Sequence, residues 1–128
     1  MGKKTILVVE DNELNMKLVR ALLRQDSFRV LESSGAEKGL DIAREEKPDL
    51  ILMDIQLPGM DRLSAVKIVK TDPVLKRIPV VALTSYAMEG DAEKAREDGC
   101  DGYISKPIDT RGFMKTVRKF LSDTPVPL

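Results

Sequence analysis

The chain has 128 residues, of which 42% are hydrophobic and 33% charged, and this composition is typical of one globular domain rather than a disordered segment. Its 21 basic and 21 acidic side chains balance, so charge gives no reason to expect a nucleic acid or an anionic membrane as partner. The sequence contains no histidine, which excludes histidine metal ligands, histidine-dependent nucleophiles and a phosphohistidine of its own.

Targeting signals are missing from the printed sequence. No apolar stretch approaches the roughly 20 residues that a membrane span needs, and Met1–Lys4 are not followed by the apolar core of a signal peptide. A single cysteine, Cys100, excludes an internal disulfide and is predicted to be a small buried residue in a turn. We therefore predict a cytoplasmic domain over residues 1–123, with 124–128 as a C-terminal tail or linker stub.

Short apolar runs alternate along the chain with amphipathic stretches. The runs predict strands at about 5–10, 28–33, 49–53, 79–84 and 101–104, because they are short and mostly unalternating, as in strands buried on both faces. The first helix is predicted to begin after Asn12, which can cap it, and the others at about 35–46, 62–70, 89–98 and 110–122. Alternation of five strands and five helices predicts an α/β fold with a doubly wound, five-stranded parallel sheet.

Polar side chains follow four of the five predicted strands. Glu10 and Asp11 stand at the end of the first strand, Asp54 follows the third, Thr84 ends the fourth, and Lys106 follows the fifth. Ligands of open α/β sheets bind beyond the carboxyl ends of the strands, so we expect these side chains to form a site.

Three of these side chains are carboxylates. Glu10 and Asp11 stand where a helix begins, a position that ordinarily attracts anions, so they argue against a phosphate cradle and for a hard cation such as Mg²⁺. The structural alternative for Asp11 is helix capping. With Asp54, three converging carboxylates would repel one another unless a divalent cation lay between them. A carboxylate so placed can also act as a nucleophile and form an aspartyl phosphate.

Four segments carry a resemblance to a known family. Taken in order and at their spacings, Val9–Asn12, Pro48–Asp61, Ile78–Ser85 and Gly99–Pro107 resemble the chemotaxis-regulator-like receiver domain of two-component response regulators. The likeness is greatest to single-domain regulators of the cell-division type and to receivers of hybrid kinases. It implies a flavodoxin-like fold with strand order 2-1-3-4-5. Arg62 departs from the pattern, since the family usually has glycine there.

The resemblance also assigns the cofactor and its ligands. It implies Mg²⁺, or Mn²⁺, bound by the carboxylates of Glu10, Asp11 and Asp54 and by the backbone carbonyl of Gln56. In such a domain the second acid of the pair binds the metal directly, and the first usually acts through water.

Three further roles are implied in the same way. Asp54 is the expected phosphoacceptor, and Lys106 and Thr84 are expected to contact the phosphoryl group. Thr84 and Tyr103 are the expected switch pair, which would transmit phosphorylation to the surface of the fourth and fifth predicted helices and the fifth strand.

The function implied is that of a bacterial phosphoacceptor response regulator in a phosphorelay, a signalling switch rather than an enzyme. Its expected partners are a histidine kinase or histidine phosphotransfer protein and a downstream protein target, with no nucleic acid and no membrane. The expected state is a monomer or a phosphorylation-dependent dimer.

Three alternatives are weighed against this function. A nucleotide or flavin binder of the same topology would need a glycine- or hydroxyl-rich loop where Glu10 and Asp11 stand. A metal-dependent phosphatase with an aspartate nucleophile would place that nucleophile after the first strand, whereas Asp54 follows the third. The third alternative is a structural adaptor with a vestigial site, which phosphorylation of Asp54 would exclude.

Overall fold

The computed structural model describes residues 4–25, 28–54, 60–84, 99–105 and 110–121, and only the backbone of residues 60–65, 84, 103 and 105. The strands in these segments are β1 (Thr5–Val9), β2 (Arg29–Ser33), β3 (Leu50–Asp54), β4 (Val80–Thr84) and β5 (Gly102–Ser105). The helices are α1 (Glu13–Gln25), α2 (Ala36–Glu46), α3 (Met60–Thr71) and α4 (Thr110–Leu121). The helix predicted over 89–98 lies outside the described residues, so α4 corresponds to the fifth predicted helix.

The strands form one parallel sheet in the order β2-β1-β3-β4-β5. This arrangement confirms the predicted α/β class with a parallel sheet, and the order is the one that the family resemblance implies. Parallel strands point their carboxyl ends to the same edge, so the ends of β1, β3 and β4 lie side by side.

The core lies on both faces of the sheet because successive side chains of a strand point in opposite directions. Ile6 and Val8 of β1 pack with α1 and α4 on one face. Leu7 and Val9 pack with α2 and α3 on the other. All four are at most 1% exposed, which explains why the strands read as continuous apolar runs. None of the described helices combines the length and apolar character needed to cross a membrane.

The structure accounts for the residue types at Gly99, Cys100 and Arg62. Gly99 has a φ of 106°, a conformation that residues with a Cβ atom rarely adopt. Cys100, which follows it, is 4% exposed and belongs to the core beneath α2 and α3, as predicted. Arg62 lies within α3, where the backbone is helical, so the family's glycine is not needed at this position.

Two aspartates fasten the amino-terminal edge of the sheet with the same pair of hydrogen bonds. The Asp49 carboxylate accepts a bond from the Thr5 N–H at 2.7 Å, and the Asp49 N–H donates to the Thr5 carbonyl. Asp101 repeats this arrangement with Val80, whose N–H lies 2.8 Å from the Asp101 carboxylate. Asp101 also forms an ion pair of 2.6 Å with Lys70 of α3. The first N–H groups of β1 and β4 are thereby satisfied where the ladder begins.

We expect Asp101→Ala to lower the free energy of unfolding by about 1–3 kcal/mol, because the N–H of fully buried Val80 would lose its acceptor. Urea denaturation at neutral pH measures this change. The control is Asp41→Ala. The Asp41 side chain is 79% exposed, and its ion pair with Arg44 is long, at 3.7 Å, so this change should alter the free energy of unfolding by less than about 0.5 kcal/mol. Equal effects in the two variants would contradict a structural role for the Asp101 hydrogen bond.

Acid sensitivity is expected from the turn after α3. The N–H of Val74 donates to the Asp72 carboxylate at 2.7 Å and, with Leu75 and Arg44, holds the pKa of Asp72 below its ordinary value. A carboxyl group with a lower pKa in the folded than in the unfolded state stabilises the fold above the unfolded pKa, about 3.9. That contribution is lost as the pH falls through the lower, folded value.

In Asp72→Asn, the free energy of unfolding should therefore decline less steeply below about pH 4 than in the wild type. Urea denaturation over a series of acidic pH values measures the slope. Parallel pH profiles in the two proteins would show that Asp72 does not contribute to acid unfolding.

Candidate functional site

The end of β1 fixes the first carboxylate of the site. Glu10 is 2% exposed, and its N–H donates to the Ser33 carbonyl of β2 at 2.9 Å. Its Oε2 accepts a hydrogen bond from the N–H of Asn12 at 3.1 Å. A buried carboxylate thus turns back toward the first residues of the following helix, where backbone N–H groups favour negative charge.

The residue before α1, Asn12, caps this helix, so Asp11 is not the capping residue. Asn12 Oδ1 accepts a hydrogen bond from the Asn15 N–H at 3.0 Å, and the Asn12 carbonyl accepts one from Met16 at 2.9 Å. These two bonds make Asn12 the N-cap, as predicted. Asp11 is exposed at the rim of the site, so the capping alternative considered for it is not needed.

The third carboxylate comes from the strand beside β1. Asp54 is the last residue of β3 and is 2% exposed. The register pairs Val9 with Met53, which sets Glu10 next to Asp54 along the edge of the sheet. Asp54 in turn pairs with Leu83 of β4, so it lies between the ends of two neighbouring strands.

Glu10, Asp11 and Asp54 form one cluster, in which a carboxylate oxygen of each lies within 4.8 Å of those of the other two. Water screens the exposed Asp11 better than the two buried acids. Three oxygen donors at this separation fit a hard divalent cation, which prefers carboxylate ligands. The structure therefore brings together the three side chains that the sequence predicts as metal ligands, and this cluster could hold such an ion.

The other predicted site residues are described in part or not at all. Thr84 ends β4, where its backbone pairs with Ser105 of β5. Tyr103 pairs with Ala82, two residues earlier along each strand. Thr84 therefore ends the strand next to β3, at the edge that carries the acidic cluster, whereas Tyr103 lies in β5, on the far side of β4. Gln56 and Lys106 lie outside the described residues, so their predicted roles stay predictions.

A groove of about 480 Å³ adjoins the acidic cluster, and sequence patterns gave no sign of it. It lies between α1, the end of β2 and the start of α2, and we name it the α1–β2 groove; its charged walls include Glu10, Asp11, Lys17, Arg20, Glu32 and Lys38. The hydrogen bond from Arg20 holds the pKa of Glu32 below its ordinary value. Only the placement of β2 beside β1 brings these residues together, which is why spacing along the chain did not reveal the groove.

Comparison with known proteins identifies the family. The family model of the response regulator receiver domain matches residues 6–118, most of this chain. The chain therefore belongs to the receiver domains of response regulators, which act in two-component signalling. The resemblance recognised in the four sequence segments is confirmed.

The relatives include a cell-division-type regulator and a kinase receiver. The chain is 48% identical over 120 residues to the polar-differentiation response regulator DivK of Brucella anthropi, covering 94% of this chain and 98% of that protein. The receiver domain of sensor histidine kinase PA1611 from Pseudomonas aeruginosa is 30% identical, with a TM-score of 0.85 over 95% of this chain and 100% of its own. That domain holds a magnesium ion in its active-site cleft. The Mn²⁺-bound response regulator Rcp1 is 29% identical, with a TM-score of 0.73 over 98% of both chains.

Crowding of the three carboxylates leads to a stability prediction. We expect Asp54→Asn to raise the free energy of unfolding in EDTA by about 1–3 kcal/mol, because unit charges about 5 Å apart repel by a few kcal/mol at an effective dielectric constant near 20. The same substitution should reduce the rise in melting temperature caused by Mg²⁺, since one ligand charge is lost. Calorimetry in EDTA and in saturating Mg²⁺ measures both effects.

A matched control is Glu45→Gln, which neutralises one exposed acid of α2 away from the cluster. It should change neither the stability in EDTA nor the response to Mg²⁺. A lower melting temperature of Asp54→Asn in EDTA would contradict the crowded-carboxylate account.

Proposed function

We propose that this receiver domain accepts a phosphoryl group on Asp54 from the phosphohistidine of a histidine kinase or a histidine phosphotransfer protein. The observation that carries the proposal is the convergence of Glu10, Asp11 and Asp54 within 4.8 Å, at the edge of the sheet where β1 and β3 end. Asp54 is the member of this cluster that terminates a central strand, so the strand holds its carboxylate at a fixed position for attack.

The donor set supports Mg²⁺, or Mn²⁺, as the cofactor. Glu10, Asp11 and Asp54 would hold it with the Gln56 carbonyl, in keeping with the magnesium-bound PA1611 receiver and the manganese-bound Rcp1. When bound, the ion supplies positive charge that neutralises phosphoryl oxygens during transfer.

The protein's own chemistry is a nucleophilic displacement at phosphorus. A carboxylate oxygen of Asp54 forms a bond to phosphorus, the bond from phosphorus to the donor imidazole nitrogen breaks, and the imidazole leaves with that electron pair. An acyl phosphate results, and water later hydrolyses it. Lys106 would contribute a positive charge to the phosphoryl oxygens and Thr84 a hydroxyl hydrogen bond, as the family resemblance implies.

Signal output is proposed to run along β4 and β5. Thr84 lies at the end of β4 and Tyr103 in β5, so a shift of the threonine toward the phosphoryl group would be felt by an aromatic residue on the adjacent strand. A two-state element of this kind converts a local change of charge into a change of surface. The surface affected is formed by the fourth and fifth predicted helices and the fifth strand, and its reader would be a downstream protein.

The proposal makes the domain a switch whose only reactions are its own phosphorylation and dephosphorylation. Its balanced charge of 21 basic and 21 acidic residues supports protein partners over nucleic acid or membrane. A cytoplasmic location and a monomer or phosphorylation-dependent dimer are part of the same proposal.

Intact mass spectrometry after incubation with acetyl phosphate tests the chemistry. We expect one phosphoryl adduct in the wild type with Mg²⁺, none with EDTA, and none in Asp54→Asn. Asp41→Asn, which changes an aspartate of α2 that is 79% exposed, should be labelled like the wild type. A protein that stays unlabelled under every condition would favour the vestigial adaptor instead.

A further inference from the structure

The α1–β2 groove adjoins the acidic cluster, and the proposed function gives it no role. Its volume of about 480 Å³ lies within the range of small-ligand sites, and Glu10 and Asp11 belong to its wall. A molecule in the groove would therefore lie next to the carboxylates that bind the metal.

One cation of the groove, Arg20, already has an ion-pair partner. Arg20 forms a two-bond ion pair with Glu32, with Nε–Oε2 and Nη2–Oε1 distances of 2.5 Å and 2.7 Å. Two serines, Ser33 and Ser34, also line the groove. The Ser33 hydroxyl is likewise occupied, since its Oγ donates to the Gly35 carbonyl at 2.7 Å. These groups shape the wall but offer little binding capacity to a ligand.

Two cations of the groove remain available. Among the described residues, neither Lys17 of α1 nor Lys38 of α2 has an ion-pair or hydrogen-bond partner for its ammonium group. The carboxylate of Glu13, which also lines the groove, balances one of them, so the lining apart from Glu10 and Asp11 carries one net positive charge. The two ammonium groups come from helices on opposite faces of the sheet but border the same groove, an arrangement that attracts an anion.

The proposed reaction would be accelerated by such an attraction. A phosphoryl donor carries about two negative charges, and it must approach a cluster of three carboxylates. Electrostatic repulsion would slow this encounter unless nearby cations reshape the potential along the approach.

We propose that the α1–β2 groove receives the phosphoryl dianion of the incoming donor, and that Lys17 and Lys38 attract and position it before transfer to Asp54. The inference rests on the proposed function and extends it by giving the approach path and its two positioning residues. A small acyl phosphate and a phosphohistidine side chain present the same dianion, so the groove would serve either source.

Binding is tested without any transfer by titrating the wild type with inorganic phosphate and following backbone amide signals by NMR. We expect saturable shifts at Lys17, Ser34 and Lys38 that are absent in Lys17→Gln/Lys38→Gln. The shifts should be larger with Mg²⁺, whose charge offsets the neighbouring carboxylates. Signals that stay unchanged in the wild type, with or without Mg²⁺, would overturn the proposal, even if Asp54 is phosphorylated normally.

Kinetics give the second test. The rate constant for labelling by acetyl phosphate should fall roughly fivefold to tenfold in Lys17→Gln/Lys38→Gln at low salt. Near 1 M salt the gap should close to less than about twofold, because the screening length is then only about 3 Å. The control Lys76→Gln/Lys119→Gln makes the same charge change at exposed sites outside the groove and should retain the wild-type rate. Equal losses in both double variants would overturn the proposal.

The two sources of the dianion are separated by repeating the kinetics with a phosphorylated histidine phosphotransfer protein. A lower rate constant of the Lys17→Gln/Lys38→Gln variant with both donors would support a groove that receives the phosphoryl group from any carrier. A lower rate constant with acetyl phosphate alone would support a groove that serves small donors. Slowing with the protein donor alone would overturn the proposal, since the lysines would then contact the partner's surface rather than the phosphoryl group. Absence of labelling in every protein would refute the proposed function, while the phosphate titration would still decide whether the groove binds an anion.

Discussion

The mutual repulsion of three carboxylates is the constraint on which the rest of this structure depends. Glu10 and Asp54 are each 2% exposed, so water does little to weaken the interaction between them. They are held together because β1 and β3 are neighbours in register, with the apolar core on both faces fixing the two strands. Hydrophobic burial thus holds like charges side by side, and a divalent cation can relieve the resulting repulsion.

Negative charge that suits a cation opposes the approach of a phosphoryl donor. In the proposed account, Lys17 and Lys38, which line the α1–β2 groove together with Glu10 and Asp11, offset this repulsion. Helix α1 connects the two requirements, because it begins just after Asp11 and carries Lys17 one turn further along. The same helix therefore borders both the acidic cluster and the proposed approach to it, and the edge strand β2 completes the groove.

Much of the fold was predictable from residues because the strands are buried on both faces. Continuous apolar runs placed β1, β3 and β4 to within a residue or so, and Asn12 marked the start of α1 through its capping side chain. The start of α3 was predicted two residues late, at about 62 instead of Met60, since the polar pair Asp61-Arg62 interrupts the apolar period. The aspartate bonds at the amino-terminal edge were not predicted, because each joins residues that are at least 21 positions apart.

The sequence by itself determined the chemistry of the site: acids after two strands, a hydroxyl after a third, and no histidine that could donate a phosphoryl group. It did so because strands end where apolar runs end, which is a local property of the chain. Tertiary structure alone decided that the three carboxylates approach within 4.8 Å and that Lys17 and Lys38 face the same groove. Those distances depend on strand order and register, which arise from pairing between distant segments and leave no periodic signal in the sequence.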